Sequence, residues 1–534
     1  MLKKIFAVGL LMLLVIGMLG GCTLPGGAPA EQAGGTLRIG SLQEPDTLNP
    51  LLAEMLAAAE VSRMLYSGLF RGNDRMELLP DLAETVPTEA NGGLVLDGNG
   101  FTVTYKLRQD VKWHDGEPFD ADDVRFTYET YMNPQVMVPS RDGYDKIEKL
   151  TVVDPYTVQI TFSEIYPAYN QLFGFILPEH LLSNTDLNTA AFNRNPVGTG
   201  PFRFVAWEPG SHIELAAFTD YYGDGPYLDS IIYRIVPDTN TLLTLLQAGE
   251  IDLYQKFEWP QLGPIEKMDG VTAHVTPSLL WEHLDFNLEK PLFQDKNVRQ
   301  AIFFAINRRE IIDMLMYGRV AVATGDQSPL SWAYNPDVRL YAKDNERARQ
   351  LLEASGWQPG ADGFYAKDGQ PLRFTLASTA GSRQREQVEQ LLKEQLKEAG
   401  IDLEIQNYDP MTLFGDIREN GKFDTIMFAW QSGVDPDNYS LWHSGQCPPD
   451  GQNYPHFRNA RVDELLDLSR QTFAQAQRKQ HFDEIQSIIA EEVPIIPLYY
   501  WANLDAVSDE LQGFKPNPTD YTNLWNCNEW WLNR

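Results

Sequence analysis

The sequence predicts an α/β protein of mixed layers distributed over more than one domain. Three observations lead there. Apolar periodicity switches repeatedly between the two-residue repeat of strands and the 3.6-residue repeat of helices along a chain of 534 residues. No repeat of fixed period accompanies the switching, which argues against a solenoid. The length also exceeds what a single hydrophobic core serves, and suggests roughly two to four domains.

In chain order, Lys3 and Lys4 precede an uninterrupted apolar run over 5–19, too short to span a bilayer comfortably. Residues 1–21 therefore read as an export signal. It ends in Leu19-Gly20-Gly21-Cys22, where two residues without bulk give a peptidase access to the bond before a thiol. This tetrapeptide resembles the lipobox of bacterial lipoproteins. The resemblance implies that Cys22 is acylated and becomes the mature N-terminus, since two or more acyl chains hold a protein durably on a membrane. No second apolar run is long enough to cross a membrane, so the mature chain is expected to be soluble and tethered. Residues 22–35, rich in Gly, Pro and Ala, read as the flexible tether.

Ordered structure is expected to begin near Thr36. Residues 101–107 alternate as a strand, and 150–162 read as a hairpin turning at Asp154-Pro155. A helix over 240–248 carries Leu242, Leu245 and Leu246 and stops at Gly249. A second, over 297–317, carries Val298, Ile302, Ala305 and Ile306 and stops at Gly318. Residues 383–399 are helical with Gly400 as the cap, 401–405 alternate, and 423–430 form an apolar run of the buried-strand type. One long helix is predicted over 460–492, halted by Pro494.

The formal net charge is −31, and no cluster of Lys and Arg stands against it, which disfavours nucleic-acid binding. The acidity reads as a solubilising surface and does not name a ligand. An enzyme needs an activated group, and the familiar arrangements are missing. There is no His-Glu-x-x-His pair, no Gly-x-Ser-x-Gly elbow and no phosphate loop ending in Gly-Lys-Ser or Gly-Lys-Thr. Gly198-Thr199-Gly200 lacks the third glycine of a dinucleotide motif and runs into Pro201. The eight His, 114, 180, 212, 274, 283, 443, 456 and 481, show no ligand-like helical spacing, although His443 and His456 lie near the expected site. No catalytic residue, cofactor or resident metal is expected, and a secreted hydrolase is the remote alternative. Besides Cys22 there are only Cys447 and Cys527. In an exported chain these most simply form one disulfide that clips the tail to a loop, with two separate buried thiols as the alternative.

The most specific stretch is Tyr105-Lys106-Leu107-Arg108-Gln109-Asp110-Val111-Lys112-Trp113-His114-Asp115-Gly116-Glu117-Pro118-Phe119-Asp120-Ala121-Asp122-Asp123-Val124. Locally it is a strand, a tight Asp-Gly turn and a helix start, with Asp120 as N-cap and Asp123 in the first turn. It resembles the signature of the family 5 extracellular solute-binding proteins, the peptide, dipeptide and nickel group. Further stretches agree: Glu44-Pro45-Asp46-Thr47-Leu48-Asn49-Pro50, Leu65-Tyr66-Ser67-Gly68-Leu69 and Asn195-Pro196-Val197-Gly198-Thr199-Gly200-Pro201-Phe202. So do Phe286-Asn287 followed by Asp295 to Ile302, Pro494-Ile495-Ile496-Pro497-Leu498-Tyr499, and Trp525-Asn526 with Trp530.

The resemblance implies a type II periplasmic-binding-protein fold (cluster C) of two hinged lobes plus an extra third domain. Lobe I would comprise 36–72, 196–285 and 501–534, the extra domain 73–195, and lobe II 286–500. The implied function is that of the substrate-binding component of a bacterial ABC importer. It would capture an oligopeptide between the lobes and pass it to permease subunits in the membrane, acting as a monomer on the outer face. One ligand wall is expected at Ala53, Glu54 and Met55, and the other at Ala429, Trp430, Gln431, Ser432 and Gly433. Trp281, Asn453 and Tyr454 are further candidates. Many peptide binders of this family carry an Asp three residues after the Trp to hold the ligand's ammonium. Gly433 stands there in this chain, and Asp435 either substitutes or caps the turn before Pro436. An oligosaccharide or a nickel complex is the alternative ligand.

Overall fold

The computed structural model describes residues 34–98, 100–519 and 522–534. The export signal, Cys22 and nearly all of the tether lie outside them. Among the described residues no helix is long and apolar enough to cross a membrane.

Two long strands organise the molecule, Val271–Phe286 of 16 residues and Ile495–Ser508 of 14. They run antiparallel at the centre of a ten-stranded sheet. On one side of the pair lie Thr425–Gln431, Arg373–Thr379 and Asp402–Tyr408; on the other lie Leu253–Gln255, Thr36–Ser41, Ser230–Ile235, His212–Ala217 and Phe202–Glu208. The central pair keeps one register from Val271↔Ser508 to Pro277↔Ala502 and resumes in another at Trp281↔Tyr500. Pro277 has no N–H to donate, so a break in the ladder at this point has a covalent cause. The break divides the sheet into two lobes joined by two strands.

Strand direction then places the cleft. In lobe I, Thr36–Ser41 is parallel to Ser230–Ile235 and to Leu253–Gln255, and Leu253–Gln255 runs towards the break along Val507 to Asp505. In lobe II, Arg373–Thr379 is parallel to both its neighbours, and Thr425–Gln431 runs towards the break from Phe286 to Leu280. Both sets of carboxyl ends thus converge on the same region from opposite sides. In α/β sheets the crevice outside the carboxyl ends of the strands is where ligands bind.

A third domain carries its own four-stranded antiparallel sheet, in the order Leu94–Asp97, Gly100–Lys106, Thr157–Phe162, Ile147–Asp154. Its alternation buries Phe101, Val103 and Tyr105 against Val158, Ile160 and Phe162. The helix Ala121–Met132 packs on it and opens with a capping box between Asp120 and Asp123. The same Asp123 carboxylate accepts from Trp113 Nε1 at 3.1 Å and from Glu179 N at 2.9 Å, and burial raises its pKa to about 6. This domain is fastened to lobe I. His114 accepts from Gly198 N at 3.1 Å through Nδ1 and lies 3.0 Å from Gly200 O through Nε2, while Tyr222 of lobe I donates to Asp81 of this domain and accepts from Ser67 Oγ at 2.7 Å.

Three expectations need correction. The helix predicted over 297–317 is two helices, Lys296–Ala305 and Arg308–Leu315, because Asn307 turns out of the first and caps the second, accepting from Glu310 N at 3.2 Å. The helix predicted over 460–492 is likewise two, Ala460–Ser469 and Gln475–Glu492. The interruption holds Arg470, which leaves the first helix to pair with Asp437 at 2.7 Å. The expected disulfide is absent, since Cys447 and Cys527 are both free. Cys527 is buried in the lobe I core beside Leu524 and Trp530. Cys447 instead sits half-buried in a lobe II loop, 3.6 Å from Ser444 O.

Candidate functional site

The lobe II wall grows out of the hinge itself. Ala429 and Trp430 are the last half-buried residues of Thr425–Gln431, and Gln431, opposite Leu280, is exposed. Ser432 then donates its N–H to Leu279 O at 3.1 Å and its hydroxyl to Asp326 O at 2.5 Å. The following loop is closed by local bonds. Asp435 Oδ1 accepts from Asp437 N at 3.1 Å and Asp437 Oδ1 from Tyr439 N at 3.1 Å, two successive Asx turns. Asp435 is also gripped on both oxygens by Arg478, each bond at 2.6 Å. Its carboxylate is therefore engaged within lobe II as a turn cap and as half of a bidentate pair. Gly433 and Val434 are left between the strand and this anchor. Val434 and Asp435 face Gly72, Leu78, Pro167 and Gln171 across a cavity of ≈ 160 Å³.

Behind the wall, Trp281, Trp430 and Tyr454 do come together. They line one small pocket with His283, Asp285 and Phe428, because Trp281↔Trp430 and His283↔Phe428 are directly opposed in the ladder and share a face. Trp281 is only 2 % exposed and stacks on His283 with centroids 4.1 Å apart. Trp281 Nε1 and His283 Nδ1 are buried without a partner among the described residues. Asn453 departs from expectation. It is fully buried, donates to His443 O and Phe457 O and accepts from Phe457 N at 2.9 Å, so its carboxamide holds its own loop and faces no cleft. Sequence reasoning singled out Trp281, which the structure buries in the lobe II core, and did not single out His283 and Asp285, which the two-residue period of the same strand puts on the same face.

On lobe I, Ala53, Glu54 and Met55 follow the first strand, with Glu54 exposed and Met55 as the N-cap of Leu56–Leu65. Charged groups unmarked by any motif stand at the carboxyl ends of the neighbouring strands. Lys256 pairs with the buried Glu60, which also accepts from Tyr233 Oη at 2.7 Å. Asp505, on the second crossing strand, is wholly buried, and burial pushes its pKa up to about 7 despite the nearby Lys256. Glu282, just past the break, is held by Arg385 at 2.7 Å and by Trp501 Nε1 at 2.9 Å, which ties both crossing strands to lobe II.

Two lobes that meet at a two-strand hinge with their strand ends converging define a hinged binding protein. The chain belongs to the bacterial extracellular solute-binding proteins, family 5, whose middle-region model matches residues 77–452. It is 32% identical to the oligopeptide-binding protein AppA of Bacillus subtilis (strain 168) over 95% of this chain and 93% of that one. The structure of AppA in complex with a nonapeptide superposes with a TM-score of 0.76, at 31% identity over 94% of this chain and all of that one, 100%. NikZ from Campylobacter jejuni, solved with Ni(L-His), superposes at 0.77 with 28% identity, covering 93% and 99% of the two chains. The glutathione-binding protein GsiB of Salmonella paratyphi A (strain ATCC 9150 / SARB42) is 29% identical over 88% of this chain and 89% of that one. The fold is the type II periplasmic-binding-protein fold with a third domain, and the family is extracytoplasmic.

Proposed function

We propose that this protein is the substrate-binding component of an ABC importer, which closes its lobes on an oligopeptide and delivers it unaltered to membrane permease subunits. It is not an enzyme in this reading, and Cys22 anchors it by lipid to the outer face of the cell membrane. Lobe I comprises 36–72, 196–277 and 501–534, lobe II 281–500, and the extra domain 73–195; the expected boundary at 285 moves back to the break because residues 280–286 pair with Thr425–Gln431. The observation that carries the reading is the convergence of both sets of strand ends on the break at Pro277. An extended peptide fits such a crevice by backbone hydrogen bonds, which are blind to side-chain identity. The nonapeptide complex of AppA supports this class of ligand.

The engagement of Asp435 by Arg478 and its own turn bears on selectivity. No carboxylate in that loop is free to fix a ligand ammonium, so peptide register is set by the length of the groove. The likeness to NikZ favours a metal–amino-acid complex as the second reading. Both are decided by purifying residues 22–534 from cells, unfolding the protein and identifying the released molecules by mass spectrometry. A ladder of heterogeneous peptides is the expected result. A nickel complex or a homogeneous glycan would overturn the ligand and leave the transport role standing.

A further inference from the structure

We propose that Phe473 is a closure latch: a lobe II side chain that seats in an aromatic slot of the third domain and sets how long a ligand is retained. The inference rests on the reading of lobe closure above, and it assigns a function to the interruption at 470–474. Phe473 stands in that short connection between two helices of lobe II. Its ring meets Phe101 edge-on at 5.0 Å and 74°, and Tyr169 at 5.7 Å and 87°. Phe101 is itself stacked on Phe162 at 4.6 Å and 1°, and Tyr169 donates to Pro87 O at 2.7 Å, so the slot is preformed by groups with other fastenings. Among the described residues, Phe473 is the one hydrophobic side chain of lobe II, partly buried, that packs against this core cluster.

The placement gives the contact leverage. The third domain is fixed to lobe I through His114 on Gly198 and Gly200 and through Asp81 on Tyr222, so a side chain from lobe II that enters it crosses the cleft. Beside the contact lies a cavity of ≈ 610 Å³ lined by Tyr166 and Pro167 of the third domain and by Tyr439, Arg470 and Gln471 of lobe II. Those two walls part when the hinge opens, and the aromatic contact must part with them. A contact made only in the closed form shifts the equilibrium towards closure by its own free energy. It therefore slows release with little effect on capture, because encounter takes place in the open form.

The test uses the full mature chain and a random nonapeptide library as probe. Phe473→Ala is expected to raise the release rate about tenfold, in line with the loss of two aromatic contacts, and to leave the association rate unchanged. Phe473→Leu, which keeps an apolar plug, should fall in between. An unchanged release rate in Phe473→Ala overturns the latch, as does an effect confined to a subset of peptides, which would mean direct contact with ligand. If the wild type captures no nonapeptide, the peptide reading fails, and amide hydrogen exchange on the protein as purified, still loaded with the molecules it retains from the cell, decides the latch. Faster exchange in Gly100–Lys106 of Phe473→Ala supports it, and equal exchange overturns it.

Discussion

At the scale of single residues, the chemistry concerns burial and pairing. Arg478 and Asp435 form a bidentate pair with side chains 5% and 13% exposed. Arg478→Met leaves the carboxylate without its partner, and removal of one half of a buried pair costs about 3–5 kcal/mol. Because Asp435 borders the cleft, the lower end, about 3 kcal/mol, is expected in urea unfolding, with partial rescue by Asp435→Asn in the same chain. His114 supplies a pH signature. Burial lowers its pKa from 6.5 to about 4, so between those values the unfolded chain holds a proton that the folded chain refuses. Its contribution to stability is complete above about pH 6.5 and is lost as the pH falls towards 4. Asp123 and Asp505 act in the opposite sense, since the folded chain takes up their protons first, at about 6 and about 7. Comparison of wild type with His114→Asn between pH 7 and pH 5 therefore isolates the histidine, and the variant's slope of stability on pH should be lower by about one proton.

At the scale of elements, periodicity located strands and helices but not where helices break. The strand expected over 101–107 is Gly100–Lys106, and the helix over 383–399 is Arg383–Glu398, because one buried face fixes the period of each. The two long helices failed at positions where a backbone or side-chain group found a partner far away in sequence. Asn307 donates its N–H to Gln395 Oε1 at 2.9 Å, and Arg470 pairs with Asp437. Neither partner is marked by local pattern. Asn307→Ala removes the cap and should cost about 1 kcal/mol, read as a lower urea midpoint with an unchanged m-value. The thiols teach the same lesson. Their number suggested a bond, but Cys527 belongs to the lobe I core and Cys447 to a lobe II loop.

At the scale of the whole molecule, the interruption between Pro277 and Trp281 makes the device. Pairing through 277–281 would give a single stiff sheet; its loss leaves two strands as the pivot for two cores. Addition of the peptides eluted from the protein to a stripped and refolded sample should lower the radius of gyration by small-angle scattering. An unchanged radius would mean that the lobes do not close on them.

The sequence by itself determined the α/β class, the spread over several domains and the turn-and-cap signature around Asp120. These depend on local periodicity, turn chemistry and capping, which act over a few residues. Tertiary structure alone decided that Asp435 is engaged by Arg478, that Asn453 faces inward, that the two thiols stay apart and that Phe473 reaches another domain. Each of these depends on which distant side chain arrives within contact distance, and that is fixed by packing between elements, on which local pattern is silent.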